Sequence, residues 1–161
     1  MDSNASLTDE GSNAFTVGNL FFNGTVPQTI DFKNQNSNVK VSYSIRSGAN
    51  VSLVNQDLSL GTNSKFNVSS GGTLDFGFNG TTALNLIRVS SPTLSTGQSF
   101  SAAAGSTLKI SSPDGISNGT SVYTGNVQIG SLAANRVFDP AATYHFIGKA
   151  NAAQVVANGV D

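Results

Sequence analysis

An eleven-residue unit recurs three times in one register: YSIRSGANVSL from Tyr43 to Leu53, FNVSSGGTLDF from Phe66 to Phe76, and FSAAAGSTLKI from Phe100 to Ile110. Each copy opens on an aromatic and carries an apolar side chain at its third position, Ile45, Val68 and Ala102. Each has glycine at the sixth position, Gly48, Gly71 and Gly105, and apolar residues at the ninth and eleventh. Apolar residues alternating with polar ones make a strand with one buried face. Glycine at the break admits the positive φ of a tight corner. The unit therefore reads as strand, corner, strand, with both apolar faces turned inward. Repetition at a period of tens of residues marks a stacked architecture, in which each unit buries its apolar face only against its neighbours.

The copies start 23 and 34 residues apart. The first spacing fits one coil of a parallel β-helix, and the second fits one coil with about ten residues inserted. Asn79-Gly80-Thr81-Thr82 or Ser90 to Gly97 supplies that insertion, and Ser111 to Thr120 is the most turn-rich stretch, with Pro113-Asp114-Gly115 and Asn118-Gly119. Strand patterns also cover Thr16–Phe22, Gln28–Lys33, Val39–Ile45, Val122–Ile129 and Thr143–Ile147, whereas Pro140-Ala141-Ala142 interrupts the pattern. The alanine-rich Gly148–Asp161 suits a short helix or a last strand. The expectation is an all-β chain: a flexible segment over 1–14, then one right-handed parallel β-helix (solenoid) domain over 15–161. The alternative is an antiparallel β-sandwich or jelly roll, as a fimbrial or S-layer type binding subunit, because any all-β protein alternates and breaks at glycine.

Charged residues make up only 11% of the chain and the net charge is −1. Solubility falls to 18 Asn, 23 Ser and 14 Thr. Lys and Arg are scattered singly, so the clustered positive charge of a nucleic-acid surface is missing. No apolar run approaches the ~18 residues of a membrane span. Cysteine is absent, which excludes disulfides, thiolate metal sites and cysteine nucleophiles. The N-terminal MDSNASLTDEGSNAF has no apolar stretch of the signal-peptide kind. Met1 reads as a start added to an excised fragment. The composition reads as an extracellular bacterial surface protein.

Chemistry-bearing residues are sparse. The single histidine, His145, reads as an outward strand residue; as a general base it would need Asp139 or Asp114 beside it. The nine acidic residues are dispersed, and from Glu10 onward no two lie closer than eighteen positions. A glycan-active enzyme needs clustered carboxylates, and its candidates here are Asp75, Asp114 and Asp139. Asp114-Gly115-Ile116-Ser117-Asn118 reads as a turn in preference to a cation loop. Nucleotide, zinc and calcium motifs are absent. The six N-x-S/T triplets, at Asn4, Asn23, Asn50, Asn67, Asn79 and Asn118, are about what this composition yields by chance. Phe21-Phe22 places one aromatic outward, since adjacent strand residues face opposite sides. No catalytic, cofactor or metal residue is expected, and function is expected in the loops 79–99 and 111–121.

The unit aromatic-x-apolar-x-x-Gly-x-x-apolar-x-apolar resembles the coils of bacterial autotransporter passenger domains, of the pertactin or vacuolating-toxin kind. Gly71-Gly72-Thr73-Leu74-Asp75-Phe76 and Gly105-Ser106-Thr107-Leu108-Lys109-Ile110 carry the likeness, which spans Val39 to Ile129 at most and is shared with filamentous-haemagglutinin-like proteins. The resemblance implies secretion to the cell surface through a C-terminal outer-membrane barrel encoded beyond this chain. It implies an adhesin, toxin or stalk that meets a host-cell receptor, glycan or matrix protein, and no enzyme. The exposed ends of a solenoid add self-association to the expected partners.

Overall fold

The computed structural model describes residues 6–8, 19–31, 42–54, 58–60, 63–77, 87–88, 97–112, 115–116, 125–128 and 136–147. Among these the secondary structure is all strand and turn. In chain order the strands are β1 (Ser6–Thr8), β2 (Asn19–Phe22), β3 (Pro27–Asp31), β4 (Ser42–Ile45), β5 (Asn50–Val54), β6 (Leu58–Ser59) and β7 (Lys65–Val68). They continue with β8 (Thr73–Asp75), β9 (Ile87–Arg88), β10 (Ser99–Ala102), β11 (Thr107–Ile110), β12 (Val127–Gln128), β13 (Arg136–Phe138) and β14 (Thr143–Phe146). Every ladder between them is parallel. One sheet runs β1-β3-β5-β8-β11-β14, a second β13-β10-β7-β4-β2, and a third β12-β9-β6. The antiparallel sandwich therefore does not describe the pairing among the described residues. Ser6–Thr8, inside the segment expected to be flexible, pairs with Thr29–Asp31.

The register is the one the repeats require. Tyr43 lies beside Phe66, and Phe66 beside Phe100. Val51 lies beside Leu74, and Leu74 beside Leu108. Like positions of successive units thus form columns, and the inward columns make one buried core. The aromatic column stacks with ring centroids 5.3 Å apart for Tyr43–Phe66 and 5.8 Å for Phe66–Phe100. Each such side chain, fully buried, contributes about 1.5–3 kcal/mol.

The same register exposes two further units. Leu20 pairs with Tyr43, Phe22 with Ile45, Gln28 with Val51 and Ile30 with Leu53, so Leu20–Ile30 is a unit. Arg136 pairs with Phe100, Phe138 with Ala102, Tyr144 with Leu108 and Phe146 with Ile110, so Arg136–Phe146 is another. In the last unit the guanidinium side chain takes the aromatic position, and Phe138 takes the third. Phe138 fills the space over small Ala102, and its ring meets Phe100 at 5.6 Å.

Four of the five corners are four-residue turns closed by a backbone bond from the fourth residue to the first. Ala49 N–H donates to Arg46 at 3.0 Å, Gly72 to Ser69 at 2.9 Å, Ser106 to Ala103 at 3.0 Å and Ala142 to Asp139 at 2.9 Å. In the first three the third residue is glycine at φ +80°, +73° and +70°, as a turn with a left-handed third position demands. The fourth corner is Asp139-Pro140-Ala141-Ala142, and Ala141 has no positive φ. Pro140 supplies a pre-set φ, and the Asp139 carboxylate accepts the Ala141 N–H at 2.9 Å. The segment expected to interrupt the pattern is thus the corner itself, made with different turn chemistry. Corners also bond to one another: Gly48 N–H to Gly71 O, Gly71 to Gly105 and Gly105 to Ala141, at 2.9–3.0 Å.

A Cβ on Gly71 would lie 2.7 Å from Ser47 Oγ. Gly71→Ala combines that contact with a left-handed φ and should lose about 1–2 kcal/mol in urea unfolding. Ala141→Gly, at a corner of ordinary φ, should lose only about 0.4–1 kcal/mol, through chain entropy. Equal losses would refute this account of the corners. Burial raises the Tyr43 hydroxyl well above its ordinary range, and burial and then the Asp139 charge push Tyr144 up to about 12. Both phenols hold their protons longer folded than unfolded. Stability from this source is therefore full below about pH 10 and falls from there toward pH 12, a loss that pH-dependent unfolding will detect.

Candidate functional site

The corner side of the stack is constant, and the connection side is not. All five units span eleven residues, yet successive units begin 23, 23, 34 and 36 residues apart. All variation in length therefore falls between the eleventh position of one unit and the first of the next, on the side that carries β6, β9 and β12. Insertions in a stacked fold gather on one face, often the one that binds. The two long connections follow Phe76 and Ile110, and they contain the loops 79–99 and 111–121 singled out from the sequence. Most residues of both loops lie outside the described set.

What is described is how the long connections are held at their bases. Gln98 is buried, and its Nε2 donates to Leu60 O of the preceding connection at 2.7 Å. The second connection is tied at Asn126, which is fully buried. Asn126 Oδ1 accepts the N–H groups of both Ser111 and Ser112 at 2.8 Å, and Nδ2 donates to Ser111 Oγ at 3.1 Å. Its backbone N–H donates to Gly115 O, and the next residue, Val127, donates to Ile116 O. One amide side chain thus satisfies the chain where it leaves β11 and where it returns to β12. Sequence reasoning missed this residue. Its only signal is Gly125-Asn126 ahead of an apolar residue, and in a chain with 18 Asn that does not stand out.

The structure separates the catalytic candidates. His145 stands exposed on the outer face of β14, in register with Lys109, which in turn is in register with Asp75. Asp75 lies two strands from His145, roughly 9–10 Å by sheet spacing. Its Oδ2 is 3.3 Å from Lys109 Nζ, and its Oδ1 accepts the Gly77 N–H at 2.8 Å. That partly exposed surface pair is worth about 0–1 kcal/mol. Asp139 is occupied in its corner, and the Tyr144 hydroxyl donates to the Asp139 carbonyl at 2.7 Å. Asp114, Ser117 and Asn118 lie outside the described residues. Among the described residues no three metal-ligating side chains come together.

Phe22 is buried and Phe21 is 45% exposed, as strand parity requires. The Arg46 guanidinium lies 4.2 Å from the Phe21 ring centroid and covers part of its face. At the far end Arg136 is 6% exposed, and burial holds its guanidinium below the ordinary range. It lies 5.9 Å from the Phe138 ring.

No family model, no curated protein and no solved structure matches the chain.

Asn126→Ala would leave two buried N–H groups without their acceptor, at about 1–3 kcal/mol each. The variant should unfold at lower urea, and the amides of Ser111 and Ser112 should exchange faster while those of β7 and β8 keep their relative protection. Unchanged exchange at Ser111 and Ser112 would show that Asn126 does not hold this connection.

Proposed function

We propose that the chain is a right-handed parallel β-solenoid segment, and that it works without catalysis on the surface of a secreted bacterial protein of the autotransporter-adhesin or toxin type. The observation that carries this reading is the run of five in-register parallel units with all length variation on one side. The right hand follows from chain chirality, because parallel crossovers within a sheet are right-handed in about 98% of cases. Coils that touch only their neighbours can fold by propagation along the stack, with no distant contact needed first. That suits a polypeptide that reaches the outside of the cell unfolded, and so does the lack of cysteine.

In this reading the stack is a stalk and the long connections are its contact surface. The partners are a host-cell receptor, a glycan or a matrix protein, met by the loops 79–99 and 111–121. Secretion depends on an outer-membrane barrel encoded beyond this chain. The dispersal of Asp75, Asp139 and His145 over separate corners and strands supports binding over glycan hydrolysis.

The test is adhesion of the full chain to host cells and to a panel of glycans and matrix proteins. Replacing 79–86 and 89–96, which keeps β9, or replacing 117–124, by short Gly-Ser segments should abolish adhesion and leave the β-type far-UV spectrum unchanged. Variants on the corner side, such as Ser47→Ala and Ser70→Ala, should adhere normally. Adhesion that survives both loop replacements, or turnover of a polysaccharide by the intact chain, would overturn the reading.

A further inference from the structure

The outer face of the sheet that holds β2, β4, β7 and β10 carries an aromatic where the units that follow have small polar residues. The register brings Phe21, Ser44, Asn67 and Ser101 into one column. All four point outward by strand parity, since Phe22, Ile45, Val68 and Ala102 beside them are buried. Phe21 is 45% exposed, and the Arg46 guanidinium lies 4.2 Å from its ring centroid.

A guanidinium is a planar fork of N–H donors that matches a carboxylate, and attraction to a ring face leaves those donors to a ligand. Arg46 is exposed, and among the described residues its side chain makes no ion pair and no hydrogen bond. The ring holds the cation in place, which lowers the cost of ordering it around a ligand. Ser101 Oγ donates to Asn67 Oδ1 at 2.8 Å, and this leaves the two Nδ2 donors of Asn67 for another acceptor. Lys65, two residues before Asn67 on the same face, is also exposed. From β2 to β10 the described residues of this face include two cations and no carboxylate.

We propose that Phe21, Ser44, Arg46 and Asn67 form a contact site for the uronic-acid units of an acidic polysaccharide. Arg46 takes the carboxylate of one sugar through paired N–H donors. The open part of the Phe21 ring meets the C–H groups of that sugar, whose partial positive charge suits the negative face of the ring. The Ser44 hydroxyl and the Asn67 amide meet its hydroxyl groups. Phe21 and Asn67 stand two strand spacings apart, roughly 9–10 Å, a reach that a disaccharide covers, and Lys65 lies beyond for a further carboxylate. An acidic peptide offers the charge without the rigid ring of C–H and hydroxyl groups. The site lies away from the loops 79–99 and 111–121, so the inference goes beyond the loop reading and needs only the register of β2, β4 and β7. One ring contact and one ion pair hold a sugar with a Kd on the order of 1 mM, too weak to fasten a cell without the loops.

The experiment is an NMR titration of the full chain with trigalacturonic acid. Shifts should centre on Phe21, Ser44, the Arg46 Nε–H and the Asn67 side-chain amide, and saturate in the millimolar range. Maltotriose, neutral and of similar size, should bind roughly tenfold more weakly or not at all. Arg46→Lys keeps the charge and loses the fork, and it should weaken binding roughly tenfold. Phe21→Ser, which repeats the residue of this column in the next unit, should weaken it to a similar extent. Both positions face outward, so the β-type far-UV spectrum should not change in either variant. Equal binding of a hexaglutamate peptide, equal shifts around Lys109, full affinity in Arg46→Lys, or no shifts at all would overturn the site. If trigalacturonic acid is not bound while loop replacement abolishes adhesion, only this inference fails. If it is bound and adhesion survives loop replacement, only the loop reading fails.

Discussion

The backbone ladder between successive units is the constraint on which the rest depends. A strand here has no hairpin partner, so its N–H and C=O groups are satisfied by the units before and after it. An unpaired buried backbone group is costly, and every unit must therefore copy the path of its neighbour. The copying is strictest at the corner. Gly48, Gly71 and Gly105 hold nearly the same left-handed φ, and their amides bond from corner to corner. Eleven residues per unit is the consequence: adding one would turn the following apolar residues outward, because the side-chain period is two. The connections carry no such restriction, which is why the chain lengthens there and nowhere else.

Side-chain packing follows from that path and is less strict. The columns accept substitution as long as volume is conserved across neighbours. The aromatic of the last unit has moved from the first to the third position, and Ala102 beneath it is the smallest residue of its column. The stack of rings is continued by Phe138, tilted at 47°, where Tyr43, Phe66 and Phe100 lie within 17–22° of their neighbours. A core of this kind asks for shape more than for residue identity.

That difference decides what could be read from the sequence. The three central units were legible because backbone and packing demands coincide in them: aromatic, apolar, glycine and apolar all at fixed offsets. Strand parity was legible at Phe21-Phe22 for the same reason. The outer units were not, although they share the register. Gln28 and Arg136 stand at inward positions, and Thr25 and Ala141 stand where the others have glycine, so a pattern built on residue type passes over them. The corner at Asp139–Ala142 was misread because proline and aspartate make the turn that glycine makes elsewhere. The anchoring role of Asn126 depends on two amides fifteen and fourteen residues away being brought to one oxygen, and pattern along the chain does not encode such a meeting.

The departures of the outer units have a physical reason in their position. A central residue has a neighbour above and below, and an apolar column suits it. The inward positions of the outer units depart from that column, at Gln28 and Arg136, and both residues are buried. At the first end Gln28 is buried, and its Nε2 donates across the corner to the carbonyl of Asn23 at 3.0 Å. At the other end Arg136 keeps an aliphatic stem along the column while its guanidinium lies near Phe138, and long charged side chains cover apolar surface in this way. Both residues bring polar atoms into columns that are apolar in the central units. The first end also carries the extra strand β1. The last unit has no described strand beyond it, and it keeps Val137 and Phe146 exposed. Arg136 and Phe138 are nonetheless only 6% and 9% exposed, so the inward positions of the last unit are packed and do not form an open hydrocarbon face.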